Sequence, residues 1–250
     1  MLNAVLRILI RALLWLRYRI EVIGLEQVAD KDQRGMLFLP NHPALIDPVI
    51  VLSLVTARFP VRALASREQV DRPFIRWLAA RIRVRTILDP RAQGTESKHQ
   101  IASMMRDVVR GLRQGEALVL YPAGRIYRQR FEDLGGNSAV EFLTRACPEV
   151  RVVLVRTHGL WGSSFGRAGG QSPSVVGALR RGAIGLLKSG IVFAPRRRIR
   201  IEFREPSDFP RSQRHVINRY LEAFYNEGAP PNTYVPYSLW EKGGTRVVRE

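Results

Sequence analysis

With 250 residues, the chain is long enough for one domain with a substantial buried core, and its 46% hydrophobic content is ordinary for a globular protein. Its net charge of +18 is not ordinary, and predicts a surface that attracts anions such as phosphate headgroups, nucleic acid or acidic carrier molecules. The single cysteine, Cys147, excludes an intramolecular disulfide and is compatible with a reducing cytoplasm.

The first predicted element is an amphipathic helix over residues 2–16. Asn3, Arg7 and Arg11 recur every four residues and form a narrow polar stripe, while apolar side chains, including Trp15, cover the other faces. A segment with two internal arginines that is shorter than about 20 residues is unsuited to span a bilayer, and no signal-peptide cleavage pattern is visible. The pattern favours a helix lying in a membrane interface with its arginines reaching anionic headgroups. The alternative is a helix packed on the domain core with its arginines in water.

The rest of the chain alternates short apolar runs with helical patterns, as is typical of a layered α/β domain. Strands are predicted at residues 19–23, 36–39, 61–65, 83–88, 118–121, 151–157 and 199–203. Helices are predicted at residues 48–56, 74–80, 97–113, 138–146, 175–189 and 212–226. We therefore expect one α/β domain over residues 19–227, with a mixed, mostly parallel central sheet flanked by helices. Residues 1–18 form the interfacial helix in this prediction, and residues 228–250 form an irregular tail. The apolar segment 174–194 contains three cationic residues, so no membrane span is expected there.

The run Asn41-His42-Pro43-Ala44-Leu45-Ile46-Asp47 directly follows the predicted strand at residues 36–39. The His42 imidazole can take a proton from a hydroxyl, and the Asp47 carboxylate can hold the ring in the useful tautomer. On a regular helix two residues at this spacing lie about 140° apart, so they can meet only if His42 precedes the helix. Pro43 favours that arrangement by pushing His42 towards extended geometry. Alternatively, Asp47-Pro48 is an ordinary helix start in which Asp47 is a structural N-cap.

This run resembles the His-x4-Asp motif of the glycerophospholipid acyltransferases, the group that includes the 1-acylglycerol-3-phosphate acyltransferases. The resemblance implies an O-acyltransferase in which His42 is the general base, Asp47 orients it, and Asn41 contributes to substrate binding. It also implies acyl-CoA or acyl carrier protein as the acyl donor, a lysophospholipid or glycerol-type hydroxyl as the acceptor, and no cofactor.

A second run, Tyr121-Pro122-Ala123-Gly124-Arg125, begins at the last residue of the predicted strand at 118–121. Taken alone it is only a turn followed by an arginine. Beside the first motif it resembles the family's phosphate-acceptor motif, commonly Phe-Pro-Glu-Gly-Thr-Arg, which implies that Gly124 and Arg125 hold the acceptor phosphate. Ala123 stands where glutamate is usual, which removes a carboxylate that could fix an arginine. We therefore expect an acceptor other than lysophosphatidic acid.

Weaker similarities accompany these two motifs. Arg91 follows a strand at the place where the family has an arginine, and Arg128 is a further candidate for the acceptor phosphate. The loop at residues 159–166 resembles acyltransferase domains fused to acyl-carrier-protein synthetases, which reacylate lysophosphatidylethanolamine. His158, at a predicted strand end, is a candidate for lining the site. The sequence has no cluster with metal-ligand spacing, no nucleotide-binding fingerprint and no Gly-x-Ser-x-Gly elbow.

These expectations describe a peripheral or monotopic enzyme on the cytoplasmic face of the inner or plasma membrane. Its expected partners are an anionic membrane surface, a lysophospholipid and acyl-CoA or acyl carrier protein. The alternative is a catalytically inactive, basic lipid- or nucleic-acid-binding module. Nucleic acid is not expected, since the aromatic residues fall mostly within apolar runs rather than among basic residues.

Overall fold

The computed structural model describes residues 2–30, 35–66, 84–87, 95–191 and 193–249. The helices are α1 Leu2–Arg17, α2 Leu25–Ala29, α3 Asp47–Val55, α4 Thr95–Arg113, α5 Ala139–Ala146, α6 Val175–Lys188 and α7 Arg214–Asn226. The strands are β1 Tyr18–Ile23, β2 Met36–Pro40, β3 Val61–Ser66, β4 Val84–Ile87, β5 Ala117–Val119, β6 Arg151–His158, β7 Arg197–Arg204, β8 Thr233–Tyr234 and β9 Arg246–Val247. The helix predicted at residues 74–80 and the candidate Arg91 lie outside the described residues.

Seven strands form one sheet in the order β1-β7-β6-β2-β5-β3-β4. All neighbouring strands run parallel except β6 and β7, which are antiparallel. The predicted mixed, mostly parallel sheet flanked by helices is confirmed. Helices cover both faces of the parallel part of the sheet, which is why its strands β2 and β5 are apolar along their whole length.

Strand β2 lies at the centre of the sheet, and each of its residues is buried. Met36 and Phe38 face one core cluster, which also contains residues of α1, α3 and α6. Leu37 and Leu39 face a second cluster, which contains residues of α4, α5 and α7. The alternation along one extended strand therefore assigns helices α1, α3 and α6 to one layer and α4, α5 and α7 to the other.

Two features differ from the sequence prediction. Helix α2 was not predicted; its five residues bury Leu25 and Val28, and they follow Gly24 at a φ of 80°. A β-carbon on Gly24 would lie 2.1 Å from the Phe203 carbonyl oxygen, so this entry turn accommodates only glycine. The tail expected to be irregular contains the short antiparallel pair β8–β9. A five-residue helix makes little more than one turn and a two-residue strand shows no alternation, so neither element has a periodicity that a sequence reveals.

None of the helices in the described ranges combines the length and the apolar character that crossing a bilayer requires. Helix α1 is nevertheless apolar on its exposed side: Val5, Ile8, Leu9, Leu13 and Trp15 are all at least half exposed. Leu14 is buried against the sheet. The helix therefore contacts the core through a narrow strip and leaves a wide apolar face uncovered.

Candidate active site

The residues of both sequence motifs meet at the carboxyl edge of the parallel strands. The register pairs Pro40 at the end of β2 with Val155 of β6, and Phe38 of β2 with Val119 of β5. The residues that follow β2 and β5 therefore meet the last residues of β6. This edge is the usual position of ligand sites in open α/β sheets.

His42 lies in the turn between β2 and α3, and its Nδ1 is 4.0 Å from Oδ2 of Asp47. Both side chains are buried, and the distance is longer than a hydrogen bond. Helix α3 begins at Asp47 with Ile46 as its N-cap, and the Asp47 carboxylate accepts no hydrogen bond of normal geometry from the described residues. The alternative in which Asp47 is a structural N-cap is therefore wrong. The structure brings His42 and Asp47 together because the histidine precedes the helix.

Burial sets the ionisation of this pair. It lowers the pKa of His42 from 6.5 to about 3, because an imidazolium inside the protein loses its hydration. It raises the pKa of Asp47 from 3.8 to about 7, while the hydroxyls of Thr157 and Tyr121 oppose that rise. The imidazole is therefore neutral near pH 7 and able to accept a proton.

The polar atoms around Asp47 are left unpaired. His42 Nδ1, both carboxylate oxygens, the Tyr121 hydroxyl and Thr157 Oγ1 are buried and have no hydrogen-bond partner of normal geometry among the described residues. The Thr157 and Tyr121 hydroxyls are near enough to act on Asp47 as hydrogen-bond donors and oppose the rise of its pKa, but they lie outside normal hydrogen-bond geometry. Each unpaired buried group costs about 1–3 kcal/mol, so such groups concentrate where a site performs chemistry.

Tyr121 contributes to the site in a way that the sequence did not indicate. Its ring lies against the His42 imidazole, with ring centroids 4.5 Å apart. Its hydroxyl interacts with Asp47, and burial together with that carboxylate raises the pKa of Tyr121 well above 10. The tyrosine that replaces the family's phenylalanine therefore adds a polar group beside the candidate acid–base pair.

Asn41 joins the ends of β2 and β6. Its Oδ1 accepts a hydrogen bond from the Thr157 amide at 2.7 Å, and its Nδ2 donates to the Thr157 carbonyl at 3.2 Å and to the Tyr127 hydroxyl at 2.6 Å. Both donor hydrogens of the amide are thus used within the protein. In this structure Asn41 positions its neighbours, and no donor remains for the substrate contact that was predicted for it.

Glu132 is a site residue that the sequence analysis missed. Its Oε2 accepts a hydrogen bond of 3.0 Å from the backbone amide of His42, and the Tyr127 amide donates to the His42 carbonyl at 2.9 Å. Burial raises the pKa of Glu132 from 4.5 to about 8. The Asn226 side chain accepts a hydrogen bond from the Glu132 amide and donates one to the Glu132 carbonyl. The available signal was the acidic pair Glu132-Asp133 at the end of a strongly basic segment.

Arg125 has a carboxylate partner despite the alanine at position 123. Its guanidinium lies 3.4 Å from Oδ2 of Asp133 and 3.3 Å from the Asp133 carbonyl oxygen. Ala123 supplies no carboxylate, as its sequence implies, but Asp133 supplies one from eight residues downstream. Gly124 has a φ of 62°, and no described atom lies within 4 Å of the place of a β-carbon. Arg128, also a candidate, is exposed.

His158 does not join the site. Successive side chains of a strand point to opposite faces, so Thr157 faces Asp47 while Arg156 and His158 face away from it. His158 lines a separate open cavity of about 260 Å³ together with Arg156, Arg200, Glu202, Glu227 and Gly228. Arg156 pairs there with Glu202 and Glu227, which is a structural arrangement. Within the described ranges, no three His, Cys, Asp or Glu side chains could together bind a metal ion.

Known proteins resemble this chain in sequence family and in fold. A family model described as "Acyltransferase" matches residues 19–160, which include both motifs. No curated protein sequence matches the chain significantly. A solved structure with a similar fold is that of the 1-acyl-sn-glycerophosphate (LPA) acyltransferase PlsC from Thermotoga maritima. The two chains are 16% identical at a TM-score of 0.56 over 88% of this chain and 74% of that one, so the likeness concerns the fold. The chain accordingly belongs to the acyltransferase family, as its resemblance to the glycerophospholipid acyltransferases implied, and is an enzyme of that kind.

Proposed function

We propose that this acyltransferase moves a fatty acyl group from acyl-CoA or acyl carrier protein to the hydroxyl of a lysophospholipid, with His42 as general base and Asp47 as its orienting carboxylate. The observation that carries the proposal is the buried pair with His42 Nδ1 4.0 Å from Asp47 Oδ2 and with no hydrogen-bond partner for these atoms among the described residues. A fold that only needed stability would not keep them unpaired.

The reaction needs no covalent intermediate on the protein, since a thioester is already activated. Nδ1 of His42 faces Asp47, which leaves Nε2 for the acceptor hydroxyl. As the hydroxyl oxygen bonds to the thioester carbonyl carbon, Nε2 takes its proton and the Asp47 carboxylate stabilises the imidazolium. The tetrahedral intermediate then collapses, the carbon–sulfur bond breaks, and the imidazolium returns the proton to the leaving thiolate. Backbone amides at the strand ends are the candidates for stabilising the oxyanion.

The distance of 4.0 Å between Nδ1 and Oδ2 is compatible with this role. Catalytic hydrogen bonds are often long without substrate and shorten in the reacting complex. When substrate displaces water from the edge of the sheet, the field of Asp47 on the imidazole becomes stronger, because the local dielectric constant falls. The pair is therefore expected to gain its hydrogen bond when the acceptor binds.

The acceptor phosphate is assigned to Gly124 and Arg125, with Arg128 and Arg91 as further cations. The backbone turn at Gly124 leaves open space in front of the glycine, and Arg125 is steadied by Asp133. Guanidinium groups bind phosphate through paired hydrogen bonds. Since Asp133 supplies the carboxylate that position 123 lacks, the alanine there no longer argues against lysophosphatidic acid.

The enzyme is proposed to act as a peripheral protein on the cytoplasmic face of the inner or plasma membrane, where its lipid acceptor resides. The exposed apolar side of α1 and the net charge of +18 support this location. An interfacial helix of this kind binds through its apolar face and through attraction to anionic lipids.

The test is an acyl-transfer assay with a panel of lysolipids, including lysophosphatidic acid, and one acyl thioester donor. We expect transfer to at least one lysophospholipid, and a loss of about 10²-fold or more in His42→Ala, because the proton acceptor is gone. Asp47→Asn should also be impaired, since the amide cannot stabilise an imidazolium.

Circular dichroism and thermal unfolding of each variant serve as the control for folding. A folded His42→Ala variant with normal turnover would show that the base lies elsewhere. Clear preference for lysophosphatidic acid would show that Ala123 is a tolerated substitution, whereas preference for another headgroup would support the sequence expectation.

A further inference from the structure

Helix α6 exposes its large apolar side chains instead of packing them against the domain core. Val176, Leu179, Ile184 and Leu187 are exposed, Leu187 by 72%. At 100° per residue these four positions fall within about 140° of the helix circumference. A surface helix normally turns such a stripe towards the core. We call this set of four residues the α6 stripe.

The opposite side of α6 carries small residues, which allow the C-terminal tail to pack against the helix. Ala178 and Gly185 are the buried positions. A β-carbon on Gly185 would lie 2.4 Å from the Tyr237 carbonyl oxygen, so the tail occupies the space of a side chain there. The helix thus buries its smallest residues and exposes its largest apolar ones, which is the inverse of the arrangement that favours a free globular surface.

More exposed apolar side chains surround the end of α6. Phe193, in the loop after the helix, is 72% exposed, and Trp240, in the tail, is 80% exposed. The indole nitrogen of Trp240 donates to the Lys188 carbonyl at 3.1 Å, which holds the tail at the last turn of the helix. Ile191 is also exposed and has a φ of 64°, a strained conformation for a β-branched residue.

Contacts join this region to helix α1. Arg17 donates to the carbonyl oxygens of Pro195, Val235 and Pro236 at 2.7–2.8 Å, and its guanidinium lies over the Tyr237 ring. Arg196 lies over the Trp15 ring at 4.4 Å from the centroid. One arginine thus ties the C-terminal end of α1 to the loop after α6 and to the tail, so three segments that each expose apolar residues meet at this point.

The charge of these segments selects the occupant of the surface. There is no Asp or Glu before Glu21, and none between Glu149 and Glu202. Arg180, Arg181 and Lys188 are exposed on α6 itself. Two copies of the chain facing each other here would bring like charges together, whereas an anionic bilayer supplies opposite charges and an apolar interior.

We propose that the α6 stripe, Phe193 and Trp240 form a second membrane-contacting surface, which acts beside α1 and binds an anionic lipid bilayer. The inference shares with the proposed function the location at a membrane, and it is independent of the catalytic assignment of His42 and Asp47. Apolar side chains enter the bilayer, the tryptophan lies at its headgroup level, and the flanking cations contact lipid phosphates. Contact at two segments fixes the orientation of the domain on the membrane, which contact through a single helix does not.

The experiment compares two double variants of the full chain by sedimentation with vesicles of anionic phosphatidylglycerol and of zwitterionic phosphatidylcholine. The test variant is Leu179→Ser/Leu187→Ser on α6. The control variant is Phe142→Ser/Val216→Ser, at positions 46% and 40% exposed on α5 and α7, in the layer on the opposite side of the sheet. We expect the test variant to lose about tenfold or more in partitioning to anionic vesicles, and the control to bind as the wild type does.

Unchanged binding of the test variant, or an equal loss in the control, would overturn the proposal. The oligomeric state in solution, measured for the wild type and the test variant, distinguishes the competing occupant: a wild-type dimer that the test variant abolishes would assign the surface to a second copy and also overturn it. Transfer to a short-chain lysolipid below its micelle concentration should be unchanged in the test variant. Loss of that activity in His42→Ala but not in the test variant separates the catalytic proposal from this one.

Discussion

His42 is held by its backbone more firmly than by its side chain. Its amide donates to Glu132 and its carbonyl accepts from Tyr127, whereas its Nδ1 has no hydrogen bond of normal geometry from the described residues. Such a residue keeps its position while its ring remains available for proton transfer. Glu132 holds the His42 amide from a buried position, where a charged carboxylate is unfavourable unless it is protonated or paired.

Glu132 should make the protein less stable as the pH rises. The pKa of Glu132 is about 8 in the folded protein, whereas the ordinary value of 4.5 applies to the unfolded chain. Between these two pH values the folded protein therefore binds a proton that the unfolded chain releases. The stability that Glu132 contributes is therefore fully present below about pH 4.5 and is lost as the pH rises through 8. Glu132→Gln keeps an oxygen acceptor for His42 and removes the titration. We expect the melting temperature of the wild type to fall between pH 7 and 8, and that of Glu132→Gln to fall much less.

Thermal unfolding at a series of pH values measures both proteins. The Gln variant also serves as the control for Asp47, which has a pKa of about 7 and loses the rest of its proton between pH 7 and 8 in both proteins. A Gln variant whose melting temperature falls as steeply as that of the wild type would show that another group is responsible.

Local spacing explains which site residues the sequence could predict. His42 and Asp47 lie within one short motif, so their proximity followed from the turn that Pro43 favours. The contact between His42 and Glu132 joins residues 90 positions apart, and only the packed fold creates it. The role of the Tyr121 hydroxyl likewise depends on the register of β2 and β5, because that register brings the end of β5 beside Asp47.

At the scale of elements, the sequence predicted best where burial is complete. Strand β2 is a continuous apolar run and β6 contains one at residues 152–155, and the structure has both strands within one residue of their predicted bounds. The type of α6 was also predicted, but not its orientation. Its periodicity is that of an amphipathic helix, and a sequence alone does not say whether the apolar side faces the sheet or the surroundings.

Two glycines of α6 provide a matched test of how the helix packs. Gly185 lies against the Tyr237 backbone, whereas a β-carbon on Gly182 would meet only the edge of the Tyr237 ring at 3.9 Å. Alanine is favoured over glycine in a helix by about 1 kcal/mol. We therefore expect Gly182→Ala to raise the free energy of unfolding by up to that amount, and Gly185→Ala to lower it because the tail is displaced. Denaturant titration measures both, and a gain in both variants would show that the tail does not lie against α6.

At the scale of the whole molecule, the positive charge is unevenly distributed along the chain. The segments that expose apolar faces, α1 and α6, contain no acidic residue. The acidic residues Glu202, Glu205 and Glu227 instead pair with arginines of β6. A surface that combines apolar side chains with unopposed cations is suited to lipid headgroups, and the edge of the sheet that holds His42 and Asp47 would then work on substrates drawn from that bilayer.

The structure also sharpens the test of α1 as a membrane anchor. Leu14 is buried in the core and Arg17 holds the tail, so a deletion of residues 2–13 removes most of the exposed apolar face and keeps both. We expect the truncated protein to shift from the vesicle pellet towards the supernatant.

For the intact chain, raising the salt from about 0.1 M to 1 M should weaken binding to anionic vesicles, because the Debye length falls from about 10 Å to 3 Å and the arginines are screened. Combined with Leu179→Ser/Leu187→Ser, the deletion should abolish binding, since each change removes a separate contact. If the truncated protein sediments as completely as the full chain, α1 is a structural helix; if salt has no effect, the cations do not contribute to binding.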